Sequence, residues 1–306
     1  MPSPSSSPQS THPLIETMTQ RVLLCDGGMG TQLIARGLSP GESAERWNLD
    51  RPDDVRAIHR AYRAAGCDLL TTNTFQGTTT ALAQHGAARD ADAINRAAAA
   101  LAREVADGAW VLGDVGPFGG FLEPLGETSA QELGDIFHRQ ISALIEGGAD
   151  AIVVETMSDH AESRIAIQTA RQIADLPVLA TFAFQPAGSG IYRTMMGVSV
   201  PDAITAAIEA GASAVGANCG TTLGLDDYRR LAGQLLEAAG PSPVMLQPNA
   251  GSPEMVDGTL IHPAGAEEMA DLARDLAAMG LRIIGGCCGT TPDHLRAMGQ
   301  AIAARA

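Results

Sequence analysis

No apolar run in the chain approaches the roughly 20 residues needed to cross a bilayer, and the longest, such as "ADAIVVETM" at 149–157, are strand-sized. The N-terminus lacks the apolar core of a secretory signal. Cysteine is scarce, five in 306 residues at the irregular positions Cys25, Cys67, Cys219, Cys287 and Cys288. These absences argue against a secreted disulfide framework and point to reduced thiols in the cytoplasm. Basic residues are also few: 20 Lys and Arg stand against 35 Asp and Glu, a net charge of −15. A polyanion binder draws its affinity from cations that neutralise phosphates, so nucleic acid is not expected as a partner, nor is a membrane.

What is present is a repeat. Eight short apolar, β-branched runs (21–25, 68–72, 110–115, 151–155, 177–184, 213–217, 243–247 and 281–285) alternate with eight stretches of helical period (52–65, 88–107, 128–147, 159–173, 200–211, 224–239, 263–279 and 290–304). Runs that are apolar throughout suit parallel strands buried on both faces. A Gly/Ala step follows several helices, as in "EGGADAIVV" and "AMGLRIIG", which fits a glycine closing each helix before a short turn into the next strand. Eight β/α units of about 35 residues predict a single-domain α/β fold, the (β/α)8 TIM barrel. An open doubly wound sheet is the alternative, but the G-x-G-x-x-G phosphate fingerprint is missing after the first strand. Residues 19–306 are expected to form this domain. Residues 1–18 are expected to be a disordered tail, because the Ser/Pro-rich opening "MPSPSSSPQSTH" has no apolar periodicity to offset the entropy of ordering.

Barrel enzymes carry their chemistry where strands end. Here the first strand runs into Asp26, Gly27 and Gly28, the second into Asn73, and the third carries Asp114. The fourth ends on Glu155, the sixth on Asn218 and Cys219, the seventh is followed by Asn249, and the eighth by Cys287 and Cys288. Asp, Asn and Gly also serve simply as turn formers. The opposite, helix-to-strand turns carry little but Gly and Ala, and that asymmetry points to one site at one mouth.

Strands six and eight of such a barrel are separated by one neighbour, so Cys219, Cys287 and Cys288 can converge. Adjacent side chains in a regular strand point to opposite faces; the glycines around "GGCCG" permit a backbone that turns both sulfurs inward. Three thiolates suit Zn2+ and leave a fourth position open, the pattern of a catalytic rather than a structural site. The spacing matches no common zinc pattern, so a redox pair, a vicinal disulfide or buried structural cysteines remain alternatives. His59, His85, His138 and His160 fall on or near helices and read as surface or packing residues, whereas His294 fits a helix start.

Taken together, "DGGMGTQL", "TNTF", "VGANCG", "QPNAG" and "GGCCGTTPDH" resemble the homocysteine S-methyltransferase family. These are zinc-dependent barrel enzymes that include betaine- and S-methylmethionine-dependent methyltransferases and the homocysteine-binding module of cobalamin-dependent methionine synthase. The resemblance covers about residues 19–305. It implies that Cys219, Cys287 and Cys288 are the zinc ligands and catalytic residues, and that Asn249 occupies the fourth position in the absence of substrate. It also implies that Asp26 and Glu155 hold the homocysteine ammonium, that amides near Gly27 and Gly28 take its carboxylate, and that Asn73, Asp114 and Asn218 belong to the same pocket. The segments "GDVGPFGG", "ETMSD", "YRTMMG" and "DGTLIHP" are most similar to the methionine synthase module. The expected methyl donor is therefore methylcobalamin on a separate corrinoid protein. Alternatives are betaine or S-methylmethionine as donor, or a non-catalytic zinc- or thiol-binding barrel.

Overall fold

A computed structural model describes residues 12–256 and 259–304. Eight parallel strands, β1 Leu23–Leu24, β2 Leu69–Thr71, β3 Trp110–Val115, β4 Ala151–Met157, β5 Val178–Phe182, β6 Ala214–Asn218, β7 Val244–Gln247 and β8 Ile283–Ile284, form one sheet. Every pair from β2 to β8 is adjacent in chain order, and β8 pairs with β1. The ring closes between β1 and β2, where Cys25 bridges Leu69, Asp68 N–H donates to Leu24 O (2.7 Å) and Asp26 N–H donates to Leu69 O (3.1 Å). The fold is the expected (β/α)8 barrel. Its outer helices, among them Pro52–Ala64, Ala91–Val105, Ala130–Glu146 and Leu225–Ala239, fall within a few residues of the periodic stretches. Two of them end on left-handed glycines, Gly211 at φ 101° and Gly280 at φ 108°, a conformation that carries a Cβ only with strain. Among the described residues no helix is long and apolar enough to cross a membrane.

The apolar strands sort their side chains into two cores. Leu23, Leu69, Ala151, Ala214 and Ile283, each near or at the start of its strand, gather with Leu112, Val153, Leu179 and Met245 inside the barrel; the outward residues pack under the helices. The inner cluster has an unexpected member. Helix α1, Pro13–Gln20, begins within the segment expected to be a tail, ends beyond it, and plugs the N-terminal end of the barrel with Leu14 and Met18, both fully buried. Residues 1–11 of that expected tail lie outside the described residues. The expectation failed over 13–18 because "PLIETMTQ" carries apolar residues one helical turn apart, with Pro at the first turn and His12 accepting from Leu14 N–H. Leu14→Ala is expected to cost about 2–5 kcal/mol through the cavity it leaves. A urea midpoint equal to that of the unaltered protein would show that α1 merely rests on the barrel.

Two hairpins lengthen the loops at the opposite, C-terminal mouth: Phe184–Pro186 with Tyr192–Thr194 after β5, and Glu254–Val256 with Thr259–Ile261 after β7. The strand expected over 177–184 stops at Phe182 because the chain leaves the barrel into the first of them.

Candidate functional site

The C-terminal ends of the strands surround a cavity of about 460 Å3. Nine of the eleven residues expected from the strand-end pattern and the family resemblance line it; Asn218 and Asn249 do not. Its walls carry the carboxyl groups of Asp26, Glu42, Glu45, Asp114 and Glu155, with His85 and, among the described residues, no Arg or Lys.

Cys219, Cys287 and Cys288 meet at one side of this cavity, their sulfurs all within 4.8 Å of one another. A tetrahedral thiolate site with metal–sulfur bonds of about 2.3 Å places sulfurs roughly 3.8 Å apart, and Cys287 and Cys288 are separated by 4.0 Å. The cluster can therefore hold a metal ion, and three soft donors favour a thiophilic one. All five cysteines are free thiols. The paired cysteines escape strand alternation because β8 ends at Ile284, three residues before Cys287. Glycine serves this loop mainly by giving room: a Cβ on Gly285 would lie 2.7 Å from that of Cys25, and one on Gly286 would strike Thr290. Only Gly289, at φ 79°, uses glycine's conformational freedom. Hydrogen bonds from the Cys287 and Cys288 thiols hold Cys219 well below the ordinary thiol range, so Cys219 is the first of the three to ionise. Its bonds to Cys219 push the Cys287 thiol up correspondingly.

Backbone strain is concentrated here. Cys219 (φ 55°) and Thr156 (φ 59°) are left-handed non-glycine residues, a conformation costing about 1–2 kcal/mol each. The side chain of Asn218 clamps Thr156, accepting from its N–H (2.9 Å) and donating to its Oγ1 (2.6 Å). The β4–β5 register slips between Val154 and Met157 at the same place, a bulge that re-aims Glu155 into the cavity.

Burial dominates the carboxyl groups. It pushes Asp26 to about 7, against hydrogen bonds from Thr71 that favour the ionised form. It pushes Glu155 to about 8, assisted by the charges of Asp26 and Cys219. Asp114 is also raised, by burial and then by the charges of Glu155, Glu45 and Asp26. One oxygen of Asp114 and the side-chain oxygen of Gln247, which also lines the cavity, are buried without a hydrogen-bond donor. The cavity is thus rich in acceptors, and none of the described residues lining it is Arg or Lys.

Several polar strand-end residues, whether or not they line the cavity, also hold backbone. Asn73 donates to Ala44 O (2.7 Å) and accepts through its own carbonyl from Asn48, which seats segment 42–48 on the mouth. Asn249 accepts from Cys288 N–H at its side-chain oxygen (3.0 Å), so that oxygen is engaged with the cysteine loop. Gly28 N–H is taken by Thr290 Oγ1 (3.0 Å), whose hydroxyl in turn donates to Cys287 O (2.7 Å), joining the β1 and β8 loops. Thr290, Tyr62 and Tyr228 contribute to this frame without a strand-end signature, Gln247 ends β7 but is not among the residues the strand-end pattern singles out, and His85 lines the cavity although its position reads as a surface or packing residue. Their roles depend on which elements meet in space, which residue spacing does not record.

The sequence profile of the family described as homocysteine S-methyltransferase matches residues 23–302. The chain is 33% identical over 310 residues to methionine synthase of Mycobacterium leprae (strain TN), covering 95% of this chain and 25% of that one, and the same figures hold for methionine synthase of Mycobacterium tuberculosis (strain ATCC 25618 / H37Rv). It therefore spans about a quarter of the length of these relatives. Its fold is similar to that of the metallated form of the homocysteine methyltransferase MmuM from Escherichia coli, with 24% identity, a TM-score of 0.74, and coverage of 94% of this chain and 97% of that one. With nearly the whole barrel matched by one profile, the chain belongs to the homocysteine S-methyltransferase family.

Proposed function

We propose that the protein transfers a methyl group to the thiol of homocysteine, giving methionine, with Zn2+ held by Cys219, Cys287 and Cys288. The observation that carries this reading is one cavity with a soft three-thiol cluster on one wall and carboxyl groups without a cation on the others. Homocysteine supplies what each wall lacks: a fourth sulfur for the cluster and an ammonium for Asp26 and Glu155. Asp114 and Gln247 offer that ammonium two further acceptors. The substrate carboxylate faces the backbone amides around Gly27, other than the Gly28 N–H already bonded to Thr290.

Zinc, when bound, keeps a coordinated thiol deprotonated at neutral pH, where a free thiol with a pKa near ~8.5 is mostly protonated. The residues of the chain then position and exclude. The carboxylates would fix the amino-acid end and so place the sulfur at the three-thiol wall of the cavity. The substrate sulfur forms its bond to the donor's methyl carbon as the donor–carbon bond breaks, and the thiol proton leaves to solvent. No protein nucleophile is required.

The donor reading is methylcobalamin carried by a corrinoid protein. Support comes from the mouth, whose loops after β3, β5 and β7 leave Phe121, Leu125, Ile191, Met195 and Met255 more than half exposed, an apolar rim suited to a macromolecular partner. A reducing compartment such as the cytoplasm keeps the three thiols available. Zinc-loaded protein incubated with homocysteine and, separately, methylcobalamin, betaine or S-methylmethionine is expected to form methionine with methylcobalamin. Turnover with betaine or S-methylmethionine alone would overturn the corrinoid donor but leave the acceptor. No turnover with any of them would favour a non-catalytic metal-binding barrel.

A further inference from the structure

A continuous line of hydrogen bonds ties the two cysteine loops together through residues outside both. The Tyr228 hydroxyl, carried by helix Leu225–Ala239, donates to Cys219 O at 2.6 Å. The same hydroxyl accepts from Asn249 N–H at 3.1 Å. The Asn249 side-chain oxygen accepts from Cys288 N–H at 3.0 Å, and its amide nitrogen lies 3.4 Å from Gly220 O. One phenol, fully buried, is therefore a joint between the β6 loop that carries Cys219 and the β7 loop that carries Asn249, which in turn holds Cys288 of the β8 loop.

We infer that Tyr228 is a positioning residue that couples the two cysteine loops and thereby sets the metal affinity of the cluster. The geometry requires such a device. Cys219 sits in a left-handed conformation, followed by Gly220 at φ 94°, and a strained turn persists only where its surroundings over-determine it. Gln247 O fixes the N–H side of Cys219 at 3.1 Å. Tyr228 fixes the carbonyl side and so decides which way the sulfur faces. Groups that orient the ligands of a metal site without touching the ion commonly change affinity by about 10–100-fold, and Tyr228 acts on a ligand's own peptide group.

Tyr228→Phe keeps the ring and removes the joint. In chelator competition with Zn2+ alone, the folded variant is expected to bind about 10–100-fold more weakly than the unaltered protein. Its Co2+ form is expected to show altered d–d and thiolate charge-transfer absorption. Asn249→Ala, which retains the main-chain N–H to Tyr228 but breaks the line at Cys288, is expected to weaken binding comparably. Tyr192→Phe is the control: its hydroxyl bonds Asp227 and Arg230 on the same helix but touches neither cysteine loop, so its affinity and Co2+ spectrum are expected to match the unaltered protein. A merely structural hydroxyl would lower thermal stability and leave Zn2+ affinity and the Co2+ spectrum in place, which would overturn the inference. The inference rests on the three thiols being metal ligands. If that fails, the unaltered protein itself binds no Zn2+; if the coupling alone fails, the unaltered protein binds and Tyr228→Phe binds equally.

Discussion

Replacing Cys219 with alanine is expected to remove most of the bound zinc and to lower methionine formation by about 10^3-fold or more, equivalent to about 4 kcal/mol or more of transition-state stabilisation. Cys219 is the one ligand supplied by β6 and stands alone opposite the Cys287–Cys288 pair, so its loss leaves two donors from a single loop. Serine is expected to be nearly as damaging, because a hydroxyl is a harder donor and ionises far less readily than a thiol. Metal analysis alongside the rate decides the matter. A variant that keeps stoichiometric zinc and its rate would show that the cluster is not the reacting centre.

The second large effect is expected at the acidic wall. Glu155→Gln is expected to lower kcat/KM for homocysteine by about 10^2–10^3-fold, since truncating one partner of a buried charge pair costs about 3–5 kcal/mol. Zinc content should be unchanged, which separates substrate binding from metal loss. A variant with unaltered KM would place the ammonium elsewhere. The pH dependence has a definite sign. Burial holds Asp26 neutral up to about 7, whereas an ammonium prefers the ionised form. Homocysteine affinity is therefore expected to rise as pH increases towards and through 7, with proton release on binding. Asp26→Asn should remove that part of the pH profile while leaving the zinc-dependent part. In the free protein the same shift works against the fold. The unfolded chain ionises this group near 3.8 and the folded chain near 7, so its contribution to stability declines between those values as pH rises.

The barrel was legible because parallel strands buried on both faces must be apolar throughout, and because the glycine steps between units recur. Helix Pro13–Gln20 was not, since it follows a Ser/Pro run and is held through Leu14 and Met18, which join the buried cluster of the inner barrel residues. The hairpins after β5 and β7 were hidden for a similar reason: three-residue strands carry too little pattern to stand out from loops. At the site, position at a strand end picked out the thiols and the carboxyl groups that the structure gathers around one cavity, groups whose chemistry is carried by the side chain itself. It did not show what the amides hold. Asn73, Asn218 and Asn249 sit at strand ends too, and each holds backbone, at Ala44, Thr156 and Cys288 respectively. Tyr228 and Thr290 were invisible, because a phenol on an outer helix and a threonine after a cysteine pair acquire meaning only when the loops they join are brought together.

Homocysteine reaching the metal through its own sulfur is the central claim, and zinc K-edge X-ray absorption on zinc-loaded protein tests it most directly. Without substrate the edge and fine structure should report three sulfur ligands at about 2.3 Å and one lighter ligand. Adding homocysteine should raise the count to four sulfurs. An unchanged sulfur count at saturating homocysteine would contradict the account, because the substrate thiol would then lie outside the coordination sphere that Cys219, Cys287 and Cys288 are placed to complete.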